Sequence, residues 1–142
     1  MSVEIFVNSE ENITVVLYLV ASKNDPSIVF TDTDKDVLVK DCADEIDPAS
    51  VEQHQIIFRR PCYADSNRIL DSGIKMDEDS FRINPSMMRL ERICTLIRSW
   101  TFKGADGTPV KTTRENIKKL HPAVANVLGM ELENKLRAVN AI

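Results

Sequence analysis

The sequence contains little glycine and proline, with 4 and 6 among its 142 residues. This scarcity excludes a collagen-like chain and a Gly/Pro-rich low-complexity segment. Hydrophobic residues make up 43% of the chain and charged residues 28%, so a buried core is feasible and the composition is not that of a disordered protein. The length is typical of one compact domain.

Motifs of nucleotide binding and hydrolysis are also absent from the sequence. There is no Walker phosphate loop, no Gly-x-Gly-x-x-Gly, no His-Glu-x-x-His and no Gly-x-Ser-x-Gly. The two histidines, His54 and His121, stand in no metal-ligand spacing, and His121 precedes Pro122, which favours a role at the start of a helix. We therefore predict a protein that is not an enzyme and needs no cofactor. A Cys–His nucleophilic pair brought together by the fold is the alternative.

One acidic motif imitates the first half of a calcium-binding loop. Asp32-x-Asp34-x-Asp36 has the ligand spacing of such a loop. Its sixth position is Val37 instead of glycine and its twelfth is Ala43 instead of glutamate, so the sharp turn and the strongest ligand are both missing. We predict a solvated turn and no metal site.

The cysteines and the apolar runs indicate a cytoplasmic protein. Cys42, Cys62 and Cys94 are an odd number of cysteines without a Cys-x-x-Cys pair, which is typical of free thiols in a reducing compartment. The apolar run at 13–21 has roughly half the length that a membrane-spanning helix needs. The acidic residues before it differ from the basic start of a signal peptide.

The first sixty residues have the pattern of β-strands. Strands are predicted at 3–7, 13–21, 27–30, 36–39 and 53–59. A turn at 8–12 and an acidic loop at 41–50 interrupt them. Both faces of the 13–21 strand are apolar, which predicts a central strand covered on both sides. The segments 27–30 and 36–39 are expected to pair as a hairpin, and Pro61 is expected to follow the last strand of the chain.

Residues 61–142 have the pattern of three or four helices. Helices are predicted at 65–70, 87–100 and 112–120, and from residue 122 onward. A linker at 74–83 and a turn at 103–109 separate them. Because the strands precede the helices, we predict an α+β fold, in which a mainly antiparallel sheet from 1–60 packs against the helices of 61–142 in one compact domain.

Specific residues are expected to begin, end and face these helices. The predicted caps are Asp65, Asn84 and Thr112, with Gly73 as a left-handed stop. The first apolar stripe is Met87, Leu90, Ile93, Cys94, Ile97 and Trp100, and the second is Val124, Leu128, Leu132, Leu136 and Val139. We expect Trp100 in the core, with its indole N–H bonded to a turn carbonyl. An anchor for a partner helix is the alternative role of this residue.

Charge is divided unevenly along the chain. Residues 1–55 carry 12 acidic and 3 basic side chains, whereas residues 56–142 carry 10 acidic and 15 basic side chains. Opposite net charges favour head-to-tail contact between copies, or docking of the two parts on each other. Chance distribution over solvated faces is the simpler alternative. We expect self-association between the acidic first third of one copy and the basic segment 82–119 of another.

The basic segment 82–119 also raises nucleic-acid binding as an alternative function. Its cations are Arg82, Arg89, Arg92, Arg98, Lys103, Lys111, Arg114, Lys118 and Lys119. The segment lacks the interleaved aromatic residues on which bases stack, and the whole chain has a net charge of −4. A basic surface that faces another protein is the better interpretation.

A series of short motifs runs through residues 55–132 in a characteristic order. They are Ile56-Ile57-Phe58-Arg59-Arg60-Pro61, Tyr63-Ala64-Asp65-Ser66, Leu96-Ile97-Arg98-Ser99-Trp100, Asp106-Gly107-Thr108-Pro109-Val110, Thr113-Arg114-Glu115-Asn116-Ile117 and Leu120-His121-Pro122-Ala123-Val124-Ala125. With these motifs the chain resembles small tail-morphogenesis proteins of tailed bacteriophages, especially the tail assembly chaperones.

This resemblance implies a β-rich start followed by helices, and a protein without cofactor or active site. Such chaperones hold the apolar helical tape-measure protein and help to recruit tail-tube subunits around it. The resemblance implies contact surfaces on the helix of residues 87–100 and on the last helix, and the candidate partner contacts are Arg82, Arg89, Arg92, Arg98, Trp100, Leu132 and Leu136. The expected location is the host cytoplasm during assembly. The alternative is the virion, if the protein is a minor structural subunit of the tail, baseplate or neck.

Overall fold

The computed structural model describes residues 5–8, 10–22, 25–31 and 51–140. Its strands are β1 (Asn12–Ser22), β2 (Asp25–Thr31), β3 (Val51–Arg59), β4 (Ile74–Met76), β5 (Phe81–Ile83) and β6 (Ile97–Trp100). Its helices are α1 (Tyr63–Gly73), α2 (Pro85–Leu96), α3 (Arg114–Lys118) and α4 (Pro122–Asn140). The α+β prediction is confirmed, because a four-stranded antiparallel sheet is combined with helices from the second part of the chain.

Some predicted features lie outside the described residues. They are the strand at 36–39, the loop at 41–50, Cys42, and the acidic motif of Asp32, Asp34 and Asp36. Of the predicted strand at 3–7, residues 5–7 are described and form no strand, so this prediction is wrong for them. Ile5 and Phe6 are almost fully exposed, so their apolar side chains have no core face to pack against.

Strand β1 lies inside the main sheet, whose order is β2-β1-β3-β6. On one of its faces, Ile13, Val15 and Leu17 are buried in the main core. On the opposite face, Tyr18 is buried and stacks on Phe30 of β2, with 5.3 Å between the ring centroids. The prediction of a central strand is therefore confirmed, and its second face is buried at Tyr18 and Val20, whereas Thr14 on that face is exposed.

The helices cover the face of the sheet that carries Ile13, Val15 and Leu17. Helix α4 packs against β1 and β2, and α2 packs against β3 and α1. The core side chains of the helices are Ile69, Ile93, Leu96, Ile117, Val124, Leu128 and Leu132. Burial of several large aliphatic side chains, each worth about 1.5–3 kcal/mol, holds the helical layer on the sheet.

Helix α2 ends at Leu96, so the predicted helix over 87–100 is wrong at its C-terminal end. Residues Ile97–Trp100 form β6, which pairs with β3 and brings the second part of the chain into the sheet. The register places Trp100 opposite Ile56 but Ile97 opposite Phe58, which defines a β-bulge at Arg98. The bulge turns Ile97 and Trp100 to the same side of the sheet. Their spacing of three therefore imitates a helical stripe.

Several further predictions about 61–83 are wrong. Residues 74–83 form an antiparallel hairpin of β4 and β5 instead of a linker, so β3 is not the last strand. Helix α1 is longer than predicted and is capped by Cys62, and Asp65 stands in its first turn. Gly73 ends this helix without a left-handed φ angle, because strand β4 follows directly and needs extended backbone.

The other predicted turns and caps are close to the structure. The Asn84 side chain accepts a hydrogen bond from the Met87 backbone N–H at 3.2 Å, and α4 begins at Pro122. The cap of α3 is Thr113, one residue after the predicted Thr112. The Trp100 indole N–H donates to the Val110 carbonyl at 2.6 Å, as expected of a core tryptophan beside a turn. That turn contains Gly107 with a φ of 81°.

An ion pair between Arg59 and Asp65 fastens α1 to the sheet. The guanidinium donates to both carboxylate oxygens of Asp65, with Nη2 2.8 Å from Oδ1. Nη2 also donates to the Thr95 carbonyl in the last turn of α2 at 3.0 Å. The Asp65 carboxylate accepts the Cys62 backbone N–H at 3.0 Å. The hydrogen bonds from Arg59 hold the pKa of Asp65 well below its usual range, despite burial that opposes this shift.

We predict that Asp65→Asn lowers the free energy of unfolding by about 2–3 kcal/mol at pH 7, because it leaves a half-buried guanidinium without its charge partner. The folded-state pKa of Asp65 lies below the unfolded value of about 3.9. The stabilisation is therefore complete above pH 4–5 and declines as the pH falls toward the folded-state pKa. Urea unfolding of both proteins should show a difference that shrinks at low pH. Asp71→Asn, on the exposed side of the same helix, is the control, and an equal loss there would contradict the prediction.

Helix α1 makes a close backbone contact with the start of α2 at Gly73. The Asn84 backbone N–H donates to the Gly73 carbonyl at 2.7 Å. A Cβ atom on Gly73 would lie 2.9 Å from the Asn84 carbonyl oxygen and would also overlap the Met88 side chain. Met88 can move aside, but the backbone carbonyl can shift only with the helix that follows it. The close contact of the two helices therefore requires glycine at this position.

We predict that Gly73→Ala lowers the free energy of unfolding by about 1–3 kcal/mol, which is the cost of overpacking a tight contact. The same change in an unconstrained helix raises stability by up to about 1 kcal/mol. A loss of stability in urea unfolding would therefore show that the helix contact leaves no room for a Cβ atom, whereas a gain would contradict this prediction. Asp71→Ala is the matched control and should change stability by about 0.5 kcal/mol or less.

Candidate functional site

The β4–β5 hairpin presents one apolar face and one basic face. Its register pairs Ile74 with Ile83 and Met76 with Phe81. Because side chains alternate along a strand and directly paired residues point to the same side, these four side chains share one face. Lys75 and Arg82, which are also paired, occupy the other face. We call the face that carries Ile74, Met76, Phe81 and Ile83 the apolar face of the hairpin.

The apolar face of the hairpin is open to solvent. Met76 is 81% exposed, Phe81 64% and Ile83 58%. Met87, at the start of the following helix, is also exposed. A hairpin of two three-residue strands is marginally stable by itself, and a contiguous exposed apolar patch is typical of an interaction site. The hairpin therefore presents the exposed apolar side chains of a contact surface. The described part of the structure contains no partner for these side chains.

Three consecutive carboxylates stand at the tip of the hairpin. Residues Asp77, Glu78 and Asp79 are all exposed, and none forms an ion pair with a described residue. The tip is closed by a hydrogen bond from the Asp77 backbone N–H to the Ser80 carbonyl at 2.7 Å. The hairpin is thus a small projecting element with an apolar face and an acidic end.

A groove of about 810 Å³ lies between α1, α2 and α4, and we call it the helix groove. Its apolar lining is Ile69 and Leu70 from α1, Met88 and Leu96 from α2, and Leu136 from α4. Arg92, Glu133 and Arg137 also line it. Its volume is in the range of sites that receive a ligand or several side chains of another protein.

Ion pairs join α2 and α4 beside the helix groove. Glu133 accepts from Arg89 at 3.2 Å and from Arg92 at 3.1 Å through the same oxygen, Oε1. Arg137, one turn further along α4, is exposed and forms no ion pair with a described residue. The groove therefore has an apolar floor and one cation at its rim that is available to an acidic ligand.

The seven predicted contact residues do not form one surface. Trp100 is half-buried in the core and Leu132 is fully buried, so Leu132 faces no partner in this structure. Leu136 and Arg92 line the helix groove, and Arg89 binds Glu133 beside it. Arg82 and Arg98 are both exposed, the first on the basic face of the hairpin and the second on β6. Of the seven predicted contact residues, Arg92 and Leu136 therefore line the helix groove together.

The basic residues of 82–119 are partly neutralised within the chain. Arg114 donates to Glu91 at 2.7 Å, in addition to the two arginines bound to Glu133. The ion pair of Arg89 with Glu133 joins two helices, α2 and α4. Among the described residues, an ion pair between Arg60 and Glu11 at 3.3 Å links the acidic first part of the chain to the basic second part.

Neither histidine lines the helix groove. His54 has Nδ1 3.0 Å from the Thr101 hydroxyl and Nε2 3.1 Å from the exposed carboxylate of Glu52. His121 accepts the Ala123 backbone N–H at 3.2 Å through Nδ1, which is the role expected at the start of a helix.

The cysteines are the other candidate reactive groups. Cys62 and Cys94 are free thiols, and burial raises the pKa of Cys94. In the described part of the chain, no cluster of three His, Cys, Asp or Glu side chains could hold a metal ion. Over the same residues, no helix is long and apolar enough to cross a membrane.

The sequence reasoning missed the hairpin and the helix groove. The alternation of apolar and basic residues in 74–76 and 81–83 was a signal for two strands, but each run is only three residues long. Comparison with known proteins adds no constraint, since the chain matches no family model, no curated protein and no solved structure. The hairpin and the groove are the features from which a function is inferred.

Proposed function

We propose that this protein acts in the tail morphogenesis of a bacteriophage, by protein–protein contact and without catalysis, in the manner of a tail assembly chaperone. The observation that supports a contact role is the exposed apolar face of the hairpin. The phage context comes from the resemblance carried by residues 55–132. A role in the host cytoplasm during assembly belongs to the same proposal.

The hairpin by itself offers too little surface for a stable complex. Its two strands of three residues extend only about 10 Å, whereas a stable interface buries roughly 1,200 Å² or more. A partner therefore needs further contact, which the helix groove supplies. An apolar helix laid into a groove of this kind is a common mode of recognition, and it suits the apolar helical tape-measure protein that the resemblance implies.

A nucleic-acid partner is less favoured by the arrangement of charge. Arg89, Arg92 and Arg114 are occupied by carboxylates of the same chain. Phosphate contacts would need cations free to replace counterions on a nucleic acid. The contact surfaces found here are apolar, which favours protein as the partner.

The proposal is tested by capture of purified tail-tube and tape-measure proteins on the immobilised chain. We expect capture by the wild type and by Lys75→Gln, and at least about tenfold weaker capture by Phe81→Gln, because an exposed aromatic anchor contributes strongly to an interface. The two variants create the same residue on opposite faces of the hairpin. Absence of capture, together with absence of the protein from purified virions, would contradict a role in tail morphogenesis.

Mass spectrometry of purified virions separates the two forms of the proposal. A chaperone is expected in infected cells and absent from finished particles. Its presence in particles at a fixed ratio to the tail proteins would instead identify a minor structural subunit of the tail, baseplate or neck. Capture of the tail proteins is expected both for a chaperone and for a structural subunit. The capture experiment therefore tests the role in tail morphogenesis, and mass spectrometry of virions separates the two forms.

A further inference from the structure

We propose that copies of this chain associate by placing the β4–β5 hairpin of one copy in the helix groove of the next. This goes beyond the tail role proposed above, because it names a second copy as an occupant and does not depend on any phage protein. The contact is heterologous: two different surfaces meet, and each copy carries both of them.

The two surfaces match in their apolar character. The hairpin supplies Met76, Phe81 and Ile83, all more than half exposed. The groove supplies Leu70, which is 46% exposed, and the half-buried Met88 and Leu136, while Ile69 and Leu96 at its base already belong to the core. Joining them removes apolar area from water on both sides, which is the main driving force of protein association.

The two surfaces also match in charge. The tip of the hairpin carries three exposed carboxylates, Asp77, Glu78 and Asp79, without ion-pair partners among the described residues. The rim of the groove carries Arg137, an exposed cation that likewise has no such partner. Opposite charges at the edge of an apolar contact fix its direction and speed its formation. The acidic tip therefore selects the basic rim of the groove.

The hairpin does not fill the groove of its own chain. Seating there would bury Phe81, Met76 and Leu70, and all three are exposed. The groove-lining residues include no residue of the hairpin. Neither surface is thus covered by the other within the described residues of one copy, which is the condition for exchange between copies.

Face-to-face packing of two hairpins fits the observations less well. It would cover the apolar faces but would leave the acidic tips without a cation. Two strands of three residues extend only about 10 Å, so two hairpins alone would bury far less than the roughly 1,200 Å² of a stable interface. The hairpin in the groove instead sets its apolar face against side chains of three helices and brings its acidic tip to the rim that carries Arg137.

Sedimentation of matched variants tests the proposal. Phe81→Gln disables the hairpin, Leu70→Gln disables the groove, and Lys75→Gln changes the opposite face of the hairpin as a control. We expect the wild type and Lys75→Gln to self-associate with rising concentration. Each of the other two variants should weaken association by about tenfold or more, as loss of a buried anchor does. Arg137→Glu serves as a second groove variant if Leu70→Gln does not fold, as judged by circular dichroism.

Mixing the two disabled variants distinguishes the proposed contact from face-to-face packing. The Phe81→Gln copy keeps its groove and the Leu70→Gln copy keeps its hairpin, so the mixture should form a heterodimer although each variant alone is monomeric. High salt should weaken this heterodimer, because the tip and rim charges are exposed.

Three results would overturn the proposal: a wild type that stays monomeric over the concentration series, equal association of all variants, or a mixture that stays monomeric. Capture of tail proteins by a monomeric wild type would leave the tail role in place while removing hairpin exchange. Self-association without capture of tail proteins would support hairpin exchange and contradict the tail role.

Discussion

The structure depends on the ion pair between Arg59 and Asp65, because it holds three segments in one place. Arg59 ends β3, Asp65 lies in the first turn of α1, and the guanidinium also reaches the last turn of α2 through the Thr95 carbonyl. A guanidinium is suited to this position, since its planar fork can bind a carboxylate with two nitrogens and still donate to a third group. The change of direction after the sheet is therefore fixed by electrostatics as well as by apolar packing.

The elements with exposed apolar surface are attached directly to this fixed point. Helix α1 runs from the ion pair to Gly73, contributes Ile69 and Leu70 to the groove, and continues without a loop into β4. The hairpin returns to α2 at Asn84, whose backbone N–H binds the Gly73 carbonyl. A weak two-stranded element is thus held at both ends by helices that are themselves anchored in the core. Such support orders a contact surface before a partner arrives and lowers the entropy cost of binding.

Much of the fold was predictable because the signals were long or chemically specific. The two apolar faces of β1 and the Asn84–Pro85 start of α2 were predicted correctly, as was the bond of the Trp100 indole to a turn carbonyl. The end of α2 was not predictable, since the bulge in β6 gives Ile97 and Trp100 the spacing of a helix. Hydrophobic spacing alone does not separate these two cases.

The candidate surfaces were harder to predict from the sequence. The groove arises where α1, α2 and α4 meet, and no local pattern states which helices will be neighbours. Arg89 and Arg92 looked like surface charges because their partner, Glu133, lies more than forty residues away in sequence. Leu132 and Leu136 belong to the same apolar ridge, yet one is in the core and the other lines the groove. Tertiary packing assigns these roles.

The bulge at Arg98 has a consequence for aggregation. Strand β6 is the last strand on its side of the described sheet, where a regular row of backbone groups would be a template for strand addition by another chain. The bulge interrupts that row and increases the local twist, and it places a cation in the middle of a four-residue strand. Uncontrolled growth of the sheet across this boundary is therefore disfavoured, although the chain displays apolar side chains elsewhere.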